Sequence, residues 1–401
     1  MSLHIVIYGA AADISPQLAR PLPWLAGLKR KLKVRRDQYR LRHAARFHCD
    51  YRDYAVAHAT NIGDIAIAET IRRNLRQALP DCTLSNVDWG DTARLQTLLA
   101  DRPIDLLVVA GGGYFLFNHA GGLQPRLRAD RDFLKTSGMP YMLWGVGVNQ
   151  PFNPQGDPCE IAPSSEDKDT LRSLLDGAAF ISVRDAHSAD YLSSFTSRQV
   201  HLTGDPALHA AAALGIAPAE KQDAATPLIG INLPFHGPSS NKFLLANLSA
   251  YVRALKTIQQ GSHCRFRYIT HHACEYVVPH LLCAQGLAME IVHADLSGTC
   301  AAYRDLDLHI GGMLHSCILA ASSDTPWIAI AYDIKHRGFN QLMGMDDYYQ
   351  DTLHFSATAL SELAQRALEN RKALHQHIAA RREELHRHSS GIISAALEPL
   401  Q

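Results

Sequence analysis

Short apolar runs ending in glycine or aspartate alternate along this chain with longer amphipathic stretches, in two successive series. A strand buried on both faces reads as a continuous apolar run, and a crossover helix between parallel neighbours reads as a 3.6-residue period. That alternation leaves one broad solution, parallel sheets covered by helices. In the first series, Ile5 to Tyr8, Thr83 to Val87, Leu106 to Ala110, Met142 to Trp144, Phe180 to Val183 and Val200 to Leu202 predict strands. In the second they are Leu228 to Asn232, Phe266 to Thr270, Met289 to Val292, Leu308 to Ile310 and Trp327 to Ala331. Ala211 to Thr226, rich in Ala, Pro and charge, reads as a linker. From Ser356 to Leu397 the pattern turns long, helical and charged, with Leu360, Leu363, Ala367, Leu374 and Ile378 at helical spacing. The expected chain is α/β: Rossmann-like lobes over 1–215 and 225–350 facing a cleft, and a helical segment over 355–398 bracing both.

The 401 residues are 47% apolar, enough for two cores. Lys plus Arg and Asp plus Glu each number 39, so no global basic excess steers the chain to nucleic acid. The eight cysteines form no C-x-x-C pair, which fits reduced thiols in a cytoplasm. No apolar stretch approaches the roughly 20 residues that span a bilayer, and the N-terminus reads as a strand rather than an export signal. A soluble or peripheral cytoplasmic protein is expected.

Residues 20–52 break the rhythm. They carry Arg20, Lys29, Arg30, Lys31, Lys33, Arg35, Arg36, Arg40, Arg42, Arg46 and Arg52, opposed only by Asp37 and Asp50. With Trp24, Leu25, Leu28 and Leu32 beside these cations, the stretch suits the inner face of an anionic membrane, or else a solvated helical insertion.

The glycines and charges cluster at strand ends, where open parallel sheets place their ligands. Gly111-Gly-Gly-Tyr-Phe115 and Gly145-Val-Gly-Val-Asn149 follow strands, and each serves as a tight turn or a ligand approach. Asn61-Ile-Gly-Asp64 opens a helix, where Asp64 either caps or faces the cleft. Arg184 stands just past a strand, as an anion fork or an ion pair with Asp185 or Asp190. Gly204-Asp-Pro-Ala207 is another such turn. Asp307-Leu-His-Ile-Gly-Gly-Met-Leu-His315 brings Gly311, Gly312 and an imidazole to a helix start, and the next strand delivers Tyr332, Asp333 and Lys335 to the same edge. No G-x-G-x-x-G, P-loop, H-E-x-x-H or G-x-S-x-G motif is present, so nicotinamide, NTPase, zinc and serine-hydrolase chemistries lose support, and no metal is expected despite 22 histidines. His271 and His272, after a predicted strand, either line the cleft or serve the core.

Taken in order, Asn61-Ile-Gly-Asp64, Gly111-Gly-Gly-Tyr-Phe115, Ser182-Val-Arg184, Gly204-Asp-Pro-Ala207, Gly312-Met-Leu-His315 and Ala331-Tyr-Asp-Ile-Lys335 resemble the polysaccharide pyruvyl transferase family, as do Arg337-Gly-Phe-Asn-Gln-Leu-Met-Gly344 and Asp346-Asp-Tyr-Tyr349. The resemblance implies a GT-B-like fold and transfer of the pyruvyl unit of phosphoenolpyruvate to a sugar of a cell-surface or lipid-linked glycan, closing a pyruvate ketal. The chemistry of that donor points to His315 and Asp64 as catalytic residues, His315 for acid–base work or for stabilising the departing phosphate, and Asp64 to accept the sugar proton or orient the sugar. Asn61, Gly112, Gly113, Tyr114, Arg184, Asp205, Gly311, Gly312 and Lys335 are the implied substrate contacts, and no cofactor is called for beyond the phosphoenolpyruvate donor. The chain departs from the family at Met313, where many members carry arginine, and in its basic stretch; Arg184, Lys335 and Arg337 are the cations left to serve the donor. Two other readings share the scaffold: a nucleotide-sugar glycosyltransferase and a non-catalytic binding protein.

Overall fold

The computed structural model describes residues 2–10, 24–55, 61–117, 121–150, 152–153, 155, 157–218, 226–233, 235 and 240–400. Arg20 and the rest of the start of the basic stretch, and residues 219–225 of the expected linker, lie outside these.

The fourteen strands among the described residues are β1 (His4–Gly9), β2 (Thr83–Asp88), β3 (Leu106–Ala110), β4 (Phe115–Leu116), β5 (Tyr141–Val146), β6 (Val148–Asn149), β7 (Phe180–Val183), β8 (His201–Leu202), β9 (Leu228–Asn232), β10 (Arg265–Ile269), β11 (Met289–Val292), β12 (Leu308–Gly311), β13 (Trp327–Ala331) and β14 (Tyr349–Asp351). They form a six-stranded sheet in the order β2-β1-β3-β5-β7-β8, another in the order β11-β10-β9-β12-β13-β14, and a ribbon of β4 and β6. Both large sheets are parallel throughout. Strands such as Leu106–Ala110, Leu228–Asn232 and Trp327–Ala331 are buried at every residue because helices cover both faces, which is why they read as unbroken apolar runs.

Strand order reverses between β1 and β3 in the first sheet and between β9 and β12 in the second. At such a switch point successive crossovers leave in opposite directions, opening a crevice beyond the strand ends. β3 feeds Gly111 and Gly112, whose φ of 46° and 64° lie in the left-handed region that favours glycine. β12 feeds the start of the helix Leu314–Ser322, which carries His315. The two glycine-bearing motifs therefore stand at the two switch points.

The lobes are joined through a shared core. Ile67, Ile71 and Leu75 of the helix Ile62–Ala78 belong to one apolar cluster with Leu314, Cys317 and Ile318 of the second lobe. Two backbone hydrogen bonds cross the seam in opposite senses: Ile62 N–H donates to His271 O (3.0 Å), and Ile334 N–H donates to Gln150 O (3.3 Å). The C-terminal segment is two helices, Ala357–Glu369 and Arg371–Leu397, meeting at Asn370. The second lays His377 on the Met343 carbonyl (2.9 Å) and His386 against His209 of the first lobe (ring centroids 4.7 Å apart). The basic stretch forms the helix Trp24–His43. Although it follows β1 in the chain, its buried Leu41 and the adjoining Ala45 and Tyr51 pack with Ile229, Phe235 and Tyr268 of the second lobe. No helix among the described residues is long and apolar enough to cross a membrane.

Candidate active site

His315 is the second residue of its helix, and its imidazole reaches back across the seam. Nε2 lies 3.8 Å from Oδ2 of Asp205, beyond hydrogen-bond range, and each of these two buried atoms is without a hydrogen bond. The other oxygen of Asp205, Oδ1, accepts from Ala207 N–H (3.0 Å), so the turn that starts at Pro206 aims the free oxygen at the imidazole. The His315 side chain is 10% exposed. Its close neighbour on the first lobe is Gly63, where an added Cβ would fall 2.0 Å from the ring Cγ and Nδ1.

Asn61 caps the helix Ile62–Ala78 by accepting from Gly63 N–H at Oδ1 (3.0 Å), which leaves Asp64 in the first turn beside the imidazole. Burial raises the Asp64 carboxyl above its ordinary value; Asp205 adds to the rise, while His315, Lys335 and a hydrogen bond from Asn61 oppose it. Asp64 thus senses His315, Asp205 and Lys335 together. Lys335 comes from the helix Ile334–Met343, capped by Asp333, whose Oδ1 accepts from Lys335 N–H (3.2 Å). Its ammonium, 14% exposed as a side chain, stands 4.0 Å from Asp333 Oδ2 and 5.0 Å from the Tyr332 ring centroid. Tyr332 in turn reaches Met313 Sδ at 4.0 Å. Three helix N-termini, at Ile62, Leu314 and Ile334, carry these groups, and their positive ends favour an anion between them.

Several expected contacts are used differently. Arg184 is 4% exposed as a side chain and is not an open fork: Nε donates to Asp185 Oδ2 (3.1 Å) and Nη2 to Val148 O (3.3 Å) and Asn149 Oδ1 (2.9 Å). Burial raises the Asp333 carboxyl above its ordinary value, and the charges of Lys335 and Arg184 oppose that rise. The Tyr114 side chain, expected among the substrate contacts, lies in the core of the first lobe. It is fully buried, its hydroxyl donates to Asp130 Oδ2 (3.0 Å), and Asp130 also accepts from Tyr8 (2.6 Å). A phenol ring after a buried strand gains more from the core than from the crevice. The Gly312 amide, expected to greet an anion, donates to Asn232 O (2.7 Å), and Met313 N–H donates to Asn232 Oδ1 (3.2 Å), so Asn232 of β9 holds the turn that leads into this helix. Gly311 is a packing glycine against His309, Ser316 and Cys317. Gly112 borders Asp64, and Gly113 borders Asn149.

The sequence reading did not single out Gly63, Gly147, Asn149 or Asp333 as site residues. Gly147 lets the Arg184 guanidinium approach, since a Cβ there would fall 2.2 Å from Nε. A glycine inside the first turn of a helix is a propensity fault, and that fault was the available signal for Gly63. Behind the site, burial pushes Glu275 up to about 7 while it accepts from Asn232 Nδ2 (3.0 Å) and His271 N–H (3.1 Å). His271 bonds Tyr303 (2.6 Å) in the core, and His272 caps the turn Ala273–Glu275. Among the described residues, no group of three or more His, Cys, Asp or Glu side chains is placed to hold a metal ion.

The architecture is that of known two-lobed enzymes. A protein described as a UDP-N-acetylglucosamine 2-epimerase from Listeria monocytogenes superposes with a TM-score of 0.52 at 10% identity, covering 94% of this chain and 91% of that one. A UDP-GlcNAc 2-epimerase from Methanocaldococcus jannaschii gives 0.50 at 10% identity, covering 92% and 93%. The chain also aligns over its full length with 66% of the O-GlcNAc transferase of Thermobaculum terrenum, at 13% identity and a TM-score of 0.45. At these identities the likeness concerns the GT-B-like fold alone. No curated protein matches the sequence significantly. The family model described as "Polysaccharide pyruvyl transferase" matches residues 61–334, beginning at the Asn61 cap and ending one residue before Lys335. Because that match takes in most of the chain and both sides of the seam, the protein belongs to the polysaccharide pyruvyl transferase family, a family of transferases.

Proposed function

We propose that this protein transfers the pyruvyl unit of phosphoenolpyruvate to a pair of hydroxyls on a glycan sugar, cell-surface or lipid-linked, and releases inorganic phosphate. The observation that carries the reading is the meeting of His315, Asp205, Asp64 and Lys335 where three helix N-termini converge. Phosphoenolpyruvate places a phosphate and a carboxylate on one small alkene, so it needs cationic and backbone donors on two sides. Lys335 and the helix starts supply these, and Arg184, balanced by Asp185, holds Asn149 and opposes the rise that burial imposes on Asp333.

In this mechanism protonated His315, steadied by Asp205, gives its proton to the methylene carbon as a sugar oxygen bonds to the neighbouring carbon. Asp64, whose raised proton affinity suits it to accept, takes the proton of that hydroxyl. The second hydroxyl then bonds to the same carbon as its bond to the phosphate oxygen breaks. His315 recovers a proton from this hydroxyl, and the proton held by Asp64 leaves with the phosphate. Pyruvate remains as a ketal, and neither NAD nor a nucleotide is consumed.

Incubation with phosphoenolpyruvate and a glycan panel tests the reading. Phosphate release that depends on the acceptor is expected. His315→Ala should lower it at least about 100-fold with the fold intact, and Lys335→Ala should act chiefly through the KM for phosphoenolpyruvate. Wild-type rates from both variants would defeat the site assignment. Turnover of a nucleotide sugar with silence toward phosphoenolpyruvate would replace the reading with glycosyl transfer.

A further inference from the structure

The helix Trp24–His43 carries the exposed large apolar side chains recorded among the described residues: Leu28 at 45%, Leu32 at 56% and Tyr39 at 63%. Spaced four and seven apart, they share one helical face. Asp37 and Leu41, on the opposite face, are buried against the second lobe, so the protein itself covers one side of this helix and leaves the other bare. Exposed Lys31, Arg35 and Arg42 flank the bare apolar ridge, while exposed Arg36 and Lys33 turn toward Asp37 on the covered side. Arg35 and Arg42 stand three residues beyond Leu32 and Tyr39, within the ridge itself. Beside it lies a hollow of about 500 Å³ lined by Arg35, Gln38, Arg42, His48 and the ion pair of Asp50 with Arg52.

An apolar ridge walled by cations, on a helix anchored to a folded body by its other face, fits one kind of partner. We propose that this face docks in the plane of an anionic phospholipid bilayer. Leu28, Leu32 and Tyr39 enter the boundary between headgroups and acyl chains, and the lysines and arginines meet lipid phosphates. Charge selects this occupant over a second copy of the chain, because two such faces brought together would oppose like charges. The apolar ridge selects it over duplex nucleic acid, whose outer face of sugars and phosphates offers leucine side chains no apolar interior to enter. The inference stands apart from the reaction, and its test reads lipid binding alone.

Flotation of the full chain with phosphatidylcholine vesicles, with and without phosphatidylglycerol, decides it. Binding to the phosphatidylglycerol vesicles is expected, with weakening as salt rises from about 0.1 to 0.5 M. The triple variant Lys31→Glu, Arg35→Glu, Arg42→Glu should lose about 100-fold in partitioning, and Leu28→Ser, Leu32→Ser, Tyr39→Ser at least about tenfold. All six sites are exposed, so both variants should keep the wild-type melting curve, and the wild-type salt series stands as evidence free of any variant. Equal wild-type binding with and without phosphatidylglycerol would overturn the proposal, as would triple variants that bind like wild type. A wild-type dimer that Leu32→Ser splits, or binding to duplex DNA without binding to vesicles, would likewise assign the face to another partner.

Discussion

Gly63 occupies the second position of the helix Ile62–Ala78, where replacing glycine by alanine ordinarily adds about 1 kcal/mol of helix preference. The structure reverses that expectation. An alanine Cβ would stand 2.0 Å from both Cγ and Nδ1 of His315 and 2.3 Å from its Cβ, whereas ordinary contact begins at 3.4 Å. The imidazole, on the other lobe, must withdraw by about 1.4 Å, or the seam must open by as much. The Asn61 cap is a bond to backbone and survives the change. A displacement of about 1 Å in a catalytic group costs on the order of 100-fold in rate. Gly63→Ala should therefore lower kcat for acceptor-dependent phosphate release by about 100-fold or more. Overpacking strain of about 1–3 kcal/mol offsets the gain in propensity and leaves a net loss of stability no greater than about 2 kcal/mol. Because the whole loss runs through one ring, Gly63→Ala combined with His315→Ala should be no slower than His315→Ala alone. Near-wild-type turnover in the single variant, or additive losses in the double, would refute the reasoning.

Two further outcomes concern stability. Glu275 has its folded-state proton affinity raised to about 7 by burial, so its contribution is fully present below about pH 4.5 and is lost as pH rises through 7, a change of about 3 kcal/mol. Glu275→Gln should remove that part of the slope in urea unfolding between pH 5 and 8, and an unchanged slope would count against the assignment. Arg382 holds both oxygens of buried Asp324 (2.7 and 3.1 Å) from the helix Arg371–Leu397. Arg382→Ala should cost about 3 kcal/mol by stranding that carboxylate, seen as a lowered Tm; an unchanged Tm would show that the brace contributes little.

The large strands were legible where burial on both faces forced a continuous apolar run, as in Leu106–Ala110 and Trp327–Ala331. β14, Tyr-Gln-Asp at a sheet edge, and the two-residue ribbon of β4 and β6 carry no such run and went unread. The helical pattern from Ser356 onward was legible, but the break at Asn370 was not, since the helical spacing continues across it. The helix starts that carry Asn61, Asp64, His315 and Lys335 were legible because a helix cap and first turn lie within a few residues of one another.

What the amino acids specify locally is the alphabet of this protein: strands that end in glycine, helices that begin with a polar cap, and a helix dense with cations. Their uses were assigned by contacts between positions far apart in the chain. Asn232 rather than an anion takes the Gly312 amide, Asp130 takes the Tyr114 hydroxyl, and Asp185 and Asn149 take the Arg184 guanidinium. Asp205 faces His315 only because two lobes close on one seam. The physical reason is that periodicity and capping are satisfied within a few residues, whereas a buried polar group must find its partner wherever the fold brings one.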